Sequence, residues 1–470
     1  MSEGDQTQVN ATGAGSGEPG PTAGSVALAL LRSRSYLGLL VLAAAIGVPI
    51  SAAAWGFLYL VNHLQQWIFT DPLPRWLGFH GEPLWWPLPL LALAGVLVAS
   101  AILYLPGTGG HSPADGFKAG GAPSPIEIPG VLLAALASLA LGVVIGPEAP
   151  LIALGGGLAV CAVRLAKRDV PERTGAAVAA AGSFAAVSTL LGSPIIGAFL
   201  LMEASGLGGP TMEVVLVPGL LAAGVGSLVF VGLNAWTGLG TFSLVIPNLP
   251  HFARPDVAEF GWAIGIGLAA AGLGSGARWL ALFLRRHVEP RMLVLMPVLG
   301  LAIAGLAIAF AEGTGKPSSE VLFSGQNALS PLLSHSAAYS VGALILLVAC
   351  KSLAYGASLS SFRGGPIFPA LFLGAAGGIA LSHAPGLPMV AGVAMGLGAM
   401  SASMLRLPLT SVLLATLLLL SDGLAVMPLV IVAVTIAYVA SARLSAAPLP
   451  EAQAPPAAAP AEEAASVPGR

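Results

Sequence analysis

Long apolar stretches separated by short polar segments dominate this sequence of 470 residues. A helix needs about 20 consecutive apolar residues to cross the hydrocarbon core of a membrane. Seven stretches meet this requirement: residues 36–64, 84–105, 212–233, 259–284, 292–310, 337–353 and 423–442. The pattern therefore predicts an all-α, polytopic protein of the cell membrane.

Other apolar segments are shorter or broken. Segments 126–145, 150–166, 193–205, 366–383 and 408–420 begin or end near proline or glycine, and the chain contains 61 Gly and 38 Pro. Helix ends inside a bilayer are tolerated only where the freed backbone groups meet protein, water or an ion. The broken segments therefore predict tilted, discontinuous helices around a transport site.

An internal repeat relates two of the broken segments. GPEAPLIALG at 146–155 aligns with GPIFPALFLG at 365–374, an offset of 365 − 146 = 219, and segments opening at Pro194 and Pro408 follow at 408 − 194 = 214. We predict one membrane domain at 35–443 with two inverted-repeat halves, about 35–234 and 256–443. Chance matching in so apolar a chain is the alternative interpretation.

Composition and charge narrow the class of protein. Hydrophobic residues make up 56% and charged residues 9%, with a mean hydropathy of +0.88, which is outside the soluble range. The net charge of −2 gives no reason to expect a nucleic-acid partner. No Walker loop, metal-spaced His/Cys cluster or Ser/His/Asp arrangement is visible, so neither an enzyme nor a cofactor is expected. The lipid bilayer is the expected environment.

The basic residues and the termini suggest a topology. Basic clusters at 32–34, 164–173 and 285–291 mark three cytoplasmic sides by the positive-inside rule. The leader at 1–34 and the Ala/Pro-rich tail at 444–470 are predicted to be disordered and cytoplasmic.

One acid stands out in this apolar setting. Glu148 lies between two prolines, and no charged residue occurs at 131–145 or at 151–163. An acid at membrane depth is a functional-site hypothesis. Helix starts offer unpaired N–H groups and a positive dipole end, and we predict such starts at 107–110, 146–148 and 364–369, with a fourth in the segment leading to the tail. Two or three of them around one point would hold a small anion.

These motifs resemble those of the CLC chloride channels and chloride/proton antiporters. GTGGH at 107–111 is similar to the family's GSGIP, GPEAP at 146–150 to its G(K/R)EGP, and GPIFP at 365–369 to its GxFxP. The order and spacing are also similar, and the resemblance covers roughly residues 35–443. It implies the CLC fold, a homodimer, and a pore for chloride or a related anion, with protons as a second partner.

The resemblance also implies roles for individual residues. Glu148 would be the gate and proton acceptor, sitting in an anion site as a carboxylate and leaving it when protonated. The anion-binding residues would be Thr108, Gly109, Gly146, Pro147, Ala149, Gly365, Ile367 and Phe368.

Departures from the family pattern bear on coupling. Pro147 replaces a basic residue, no C-terminal tyrosine is found where the family has one, and Ala204 follows Glu203 where exchangers commonly have a pair of glutamates. The last two departures favour a passive anion channel gated by a glutamate. The alternative is a chloride/proton antiporter, favoured by retention of Glu148, and a remote alternative is an unrelated membrane enzyme or structural membrane protein.

Each candidate residue also has an ordinary structural interpretation. Glu148 could be a structural carboxyl at a capped helix start. Glu203 is interpreted as a structural partner for N–H groups, and His111 and Asp115 as ordinary residues of a solvated loop.

Overall fold

The computed structural model describes residues 32–79, 82–117, 123–166, 172–188, 190–191, 193–205, 210–240, 242, 244, 246, 251–252 and 254–444. The predicted disordered leader, except residues 32–34, and the predicted tail, except residue 444, lie outside the described residues.

The described ranges form sixteen α-helices and no β-strand, which confirms the all-α prediction. The helices are α1 (Arg34–Gln65), α2 (Leu73–Trp76), α3 (Pro87–Tyr104), α4 (Ile128–Ala140), α5 (Glu148–Ala166), α6 (Glu172–Val187), α7 (Pro194–Ser205), α8 (Pro210–Thr237), α9 (Val257–Val288), α10 (Met292–Thr314), α11 (Gln326–Ser334), α12 (Val341–Ser361), α13 (Ile367–Leu381), α14 (Met389–Leu405), α15 (Pro408–Leu418) and α16 (Gly423–Leu444).

The seven predicted spans correspond to α1, α3, α8, α9, α10, α12 and α16. The five shorter predicted segments correspond to α4, α5, α7, α13 and α15. Helix α5 begins at Glu148 rather than at Pro150, and it too is long and apolar enough to cross a membrane. Four described helices were not among the predicted segments: α2, α6, α11 and α14.

Helix ends follow local sequence signals. Asp256 and Glu259 form a capping box at the start of α9, and the Ser340 side chain accepts a hydrogen bond from Ala343 N–H at the start of α12. Basic residues occupy the last turn of α9, where the helix dipole favours positive charge. The positive-inside rule predicts that this end of α9 faces the cytoplasm.

Helix starts recur at the two offsets of the sequence repeat. Helices α5 and α13 begin 367 − 148 = 219 residues apart, and α7 and α15 begin 408 − 194 = 214 residues apart. Gly146 and Gly365, equivalent in the repeat, pair in an antiparallel bridge, so the two copies meet head-on.

Equivalent glycines also form the close helix crossings. Gly155 on α5 packs against the backbone of Gly182 on α6, and Gly374 on α13 packs against the backbone of Gly396 on α14. A side chain at any of the four would overlap the facing backbone. Small residues let helix backbones approach closely inside a membrane, and here they do so at the same place in both halves.

Candidate anion site at the paired helix starts

The site is built where α5 and α13 begin. Gly146 N–H donates to Gly365 O at 2.7 Å, and Gly365 N–H donates to Gly146 O at 2.6 Å. A Cβ at either glycine would collide with the Glu148 carboxylate. Glycine at both positions therefore lets the two helix starts and one carboxylate share the same small space.

Glu148 is fully buried, with 0% of its surface exposed. Its Oε1 accepts a hydrogen bond from Phe368 N–H at 2.8 Å, and the N–H groups of Ile367 and of Glu148 itself also face the carboxylate. Its Oε2 has no hydrogen-bond partner among the described residues. The carboxylate thus occupies the positive end of two helices, where a small anion would bind.

Backbone polar groups next to this site are also hydrogen-bonded. Val144 N–H, in the segment before Glu148, donates to Ser358 Oγ on α12 at 3.2 Å. The fully buried Tyr355 donates its hydroxyl to Pro366 O at 2.7 Å, directly before α13. Because these bonds fix the backbone on both sides, the N–H groups around the Glu148 carboxylate are preorganised.

A buried lysine stabilises the loop of residues 320–323 next to this site. Lys351 on α12 is 0% exposed, and its Nζ donates to the carbonyls of Glu320, Val321, Leu322 and Phe323 at 2.9, 3.0, 3.0 and 3.4 Å. Phe323 N–H in turn donates at 3.1 Å to a carbonyl of the segment leading to Glu148, that of residue 142. The ammonium therefore holds a loop that contacts the segment leading to Glu148.

The Gly107–Gly110 cluster is not a helix start, which corrects the sequence prediction. Residues 105–110 form a turn after α3, with φ of +83°, +49°, +68° and +89° at Gly107, Thr108, Gly109 and Gly110. Four successive left-handed residues cannot begin a right-handed helix. Its N–H groups are therefore not arranged as a helix N-terminus.

Arg363 links this turn to the second helix start. Its Nε and Nη2 each donate to Thr108 O at 3.3 Å, and its own N–H donates to Ser138 Oγ at 3.3 Å. Gly109 is buried against the Arg363 side chain, while Thr108 is exposed. The turn thus lies next to the segment that leads into α13, and Thr108 lies on its exposed side.

The sequence of this chain matches a known family. The family described as "Voltage gated chloride channel" (Voltage_CLC) matches residues 114–442, more than half of the chain. The chain belongs to this CLC family. The predicted resemblance, the multi-pass membrane setting and the fold class are thereby confirmed.

Known relatives match about three quarters of the chain. The protein named "Putative ion-transport protein YfeO" from Salmonella schwarzengrund is 31% identical over 363 residues, 76% of this chain and 84% of that protein. The protein of the same name from Escherichia coli O139:H28 is 31% identical over 372 residues, 76% of this chain and 82% of that protein.

Solved structures share the CLC fold. A slow cyanobacterial Cl⁻/H⁺ antiporter has a TM-score of 0.68 at 19% identity, covering 86% of this chain and 94% of its own. A CLC-type fluoride/proton antiporter has a TM-score of 0.63 at 20% identity, covering 87% and 96%. A eukaryotic CLC transporter has a TM-score of 0.62 at 14% identity, covering 87% and 72%.

Glu203 of this CLC chain caps a helix of the opposite half. Its Oε1 accepts from Leu409 N–H at 3.0 Å, and its Oε2 accepts from Thr410 N–H at 2.7 Å and from Thr410 Oγ1 at 2.6 Å. Both oxygens are thus engaged at the start of α15, in keeping with the structural interpretation of this residue.

The structure gathers most of the predicted site residues around one carboxylate. Gly146, Pro147, Gly365, Ile367 and Phe368 are buried beside Glu148, and Ala149 is half-buried. Thr108 and Gly109 lie in the separate turn. Sequence reasoning missed Lys351, Tyr355 and Arg363. A lone lysine in the apolar segment 337–353, and an arginine directly before Gly-Gly-Pro, were the signals available for two of them.

Proposed function

We propose that this protein exchanges chloride for protons across the membrane, with Glu148 as both gate and proton acceptor. The observation that supports this most directly is the placement of the Glu148 carboxylate at two helix starts, with one oxygen bound by Phe368 N–H and the other unpartnered. A carboxylate there competes with a transported anion for the same N–H groups. Protonation removes its charge and with it the electrostatic reason to stay.

The comparisons support exchange over a passive channel, the interpretation that the sequence departures favoured. Two of the solved structures with this fold are named as proton antiporters, one for chloride and one for fluoride. The matched family is described as a chloride channel, and the solved structures with this fold are named as antiporters or a transporter, so we propose transport rather than catalysis. We further propose a homodimer and an anion path through each subunit, with Thr108, Gly109, Gly146, Pro147, Ala149, Gly365, Ile367 and Phe368 as its anion contacts.

A passive channel is the second candidate, and one observation favours it. Both oxygens of Glu203 are engaged by Leu409 and Thr410, and Ala204 follows it. An acid held in this way is a poor proton carrier, so exchange requires that protons reach Glu148 by a route that does not use Glu203.

Flux from proteoliposomes separates the two candidates. The full-length protein is reconstituted with a chloride gradient and no proton ionophore, and chloride and external pH are recorded together. We expect chloride efflux to drive protons inward against their gradient. Chloride flux without proton movement would identify a channel, and the absence of any chloride or fluoride flux would rule out both candidates.

Two variants test the role of Glu148. Glu148→Gln keeps the shape of the side chain and removes its titration, so chloride flux is expected to persist with proton movement lost. Glu312→Gln, at an exposed position on α10, is the matched control and is expected to behave like the parent. Proton coupling that survives in Glu148→Gln contradicts the assignment of Glu148 as proton acceptor.

A further inference from the structure

Arg363 is a buried charged side chain whose hydrogen bonds all go to the backbone. Only 8% of its surface is exposed. Its Nε and Nη2 each donate to Thr108 O at 3.3 Å, and its Nη1 donates to Ser361 O at 3.1 Å and to Phe362 O at 3.4 Å. Among the described residues, no carboxylate lies within ion-pair distance of this guanidinium. The side chain therefore bridges two backbone segments and does not form half of an ion pair.

The turn of residues 107–110 is the segment that this bridge holds from the other half of the chain. Thr108 has a φ of +49°, in the left-handed region that is costly for a β-branched residue. Within the turn, Gly110 N–H donates to Gly107 O at 2.8 Å. The two bonds from Arg363 reach the carbonyl of Thr108 itself, so they hold the costly residue in place.

The backbone of Arg363 is in turn fixed to the first half. Its N–H donates to Ser138 Oγ of α4 at 3.3 Å. Two residues after Arg363, Gly365 exchanges two hydrogen bonds with Gly146 beside the Glu148 carboxylate. Arg363 therefore attaches the turn to the same frame that holds Glu148.

We propose that Arg363 positions this turn beside the anion path and thereby determines which small anions the path accepts. The selectivity role rests on the transport function proposed above, in which Thr108 and Gly109 are anion contacts, while the holding of the turn rests on the hydrogen bonds alone. A preorganised turn discriminates between anions by size, because it cannot adapt to a larger ion without cost. A turn released from Arg363 adapts, and discrimination falls.

Anion selectivity in proteoliposomes tests this role. The ratio of chloride flux to nitrate flux is measured for the full-length parent and for Arg363→Gln. We expect Arg363→Gln to move the ratio about tenfold towards equal flux of the two anions, the factor that one charge-assisted hydrogen bond contributes. Loss of a merely structural residue would instead lower both fluxes in proportion and leave their ratio unchanged.

A double-mutant comparison tests whether Arg363 acts through the turn. Thr108→Ala should move the ratio in the same direction as Arg363→Gln. The double variant should go no further than the larger single effect, because both substitutions act on one element. Fully additive effects would show that Arg363 acts by another route and would overturn the proposal.

Two further variants make the result decisive. Arg286→Gln, an exposed neutralisation on α9, should keep the parent's ratio. Arg363→Lys keeps the charge but lacks the planar fork that reaches both segments, so its ratio should fall between those of the parent and Arg363→Gln; it carries the test if Arg363→Gln does not fold. The proposal is overturned if the folded Arg363 variants match Arg286→Gln, or if the parent does not discriminate between the two anions.

Hydrogen exchange of the purified full chain keeps this proposal apart from the transport function. We expect the N–H groups of residues 107–110 to exchange about tenfold faster in Arg363→Gln, the same single-bond factor, while those of α13 keep the parent's rate. If the parent carries no anion but the turn exchanges faster in the variant, the transport function fails and Arg363 still positions the turn. If the parent carries chloride but the variant changes neither ratio nor exchange, the positioning role fails and the transport function stands.

Discussion

Replacing Lys351 with methionine tests how a buried charge stabilises the wall of the anion site. Lys351 is fully buried on α12, and its ammonium lies 4.5 Å from the centre of the Phe372 ring. Four backbone carbonyls of residues 320–323 accept its hydrogen bonds. Methionine has a similar length and apolar character but no donor, so the substitution removes the bonds without opening a large cavity.

The expected magnitude follows from the three short bonds. Three carbonyls lie within 3.0 Å of Nζ, and the fourth, at 3.4 Å, contributes little. Each buried carbonyl left without a donor costs about 1 kcal/mol or more. The loss is therefore about 3 kcal/mol, within the range found when one partner of a buried polar arrangement is removed. This corresponds to roughly a hundredfold change in the unfolding equilibrium constant.

Equilibrium unfolding in mixed detergent micelles, followed by tryptophan fluorescence, measures this change. Lys316→Met is the matched control, because Lys316 lies 4.3 Å from the Tyr339 ring but is only half-buried. That control should lose no more than about 1 kcal/mol. A loss in Lys351→Met no larger than in Lys316→Met would refute the reasoning that the carbonyls of residues 320–323 depend on this ammonium.

Two other predictions concern packing and pH. Gly374→Ala should destabilise the protein by about 1–3 kcal/mol, because its methyl would overlap the Gly396 backbone, whereas Gly377→Ala has open space and should be close to neutral; equal unfolding temperatures of the two variants would contradict the packing argument. Burial raises the pKa of Glu320 above its usual 4.5, against an opposing hydrogen bond from Tyr339. Between the pKa of Glu320 in the unfolded protein and its higher pKa in the folded protein, the folded protein binds more protons. The free energy of unfolding therefore falls as pH rises through this range. Glu320→Gln should therefore flatten the fall of unfolding free energy from pH 4.5 upward, and an unchanged slope in pH-dependent unfolding would count against it.

Much of the fold could be predicted from the sequence because long apolar segments identify membrane helices directly. Apolar length alone located seven spans, and Gly-Pro pairs marked where helices begin inside the bilayer. The repeat alignment of Gly146 with Gly365 identified two residues that are hydrogen-bonded to each other in the structure. Transporters built from inverted repeats bring equivalent half-helix starts together, and the contact between Gly146 and Gly365 has this arrangement.

Other features depend on contacts that the sequence does not display. The glycines at 107–110 resemble a helix start, but their left-handed backbone is a tertiary outcome stabilised by Arg363. Lys351 lies in an apolar segment where a single lysine ordinarily extends towards the membrane surface, and only the structure shows its carbonyl partners. Helix α14 was not predicted because its 17 residues are shorter than the about 20 that a membrane-spanning helix needs.

The reciprocal bonds between Gly146 and Gly365 have a mechanical consequence. They tie the two halves of the protein together beside Glu148, which we propose as the gate, so the halves cannot separate there without breaking both bonds. In the function we propose, opening consists of rotation of the Glu148 side chain within this fixed frame. A device of this kind changes its cross-section in the membrane very little, so its turnover should respond weakly to bilayer thickness and lateral tension, unlike that of a carrier whose halves rock.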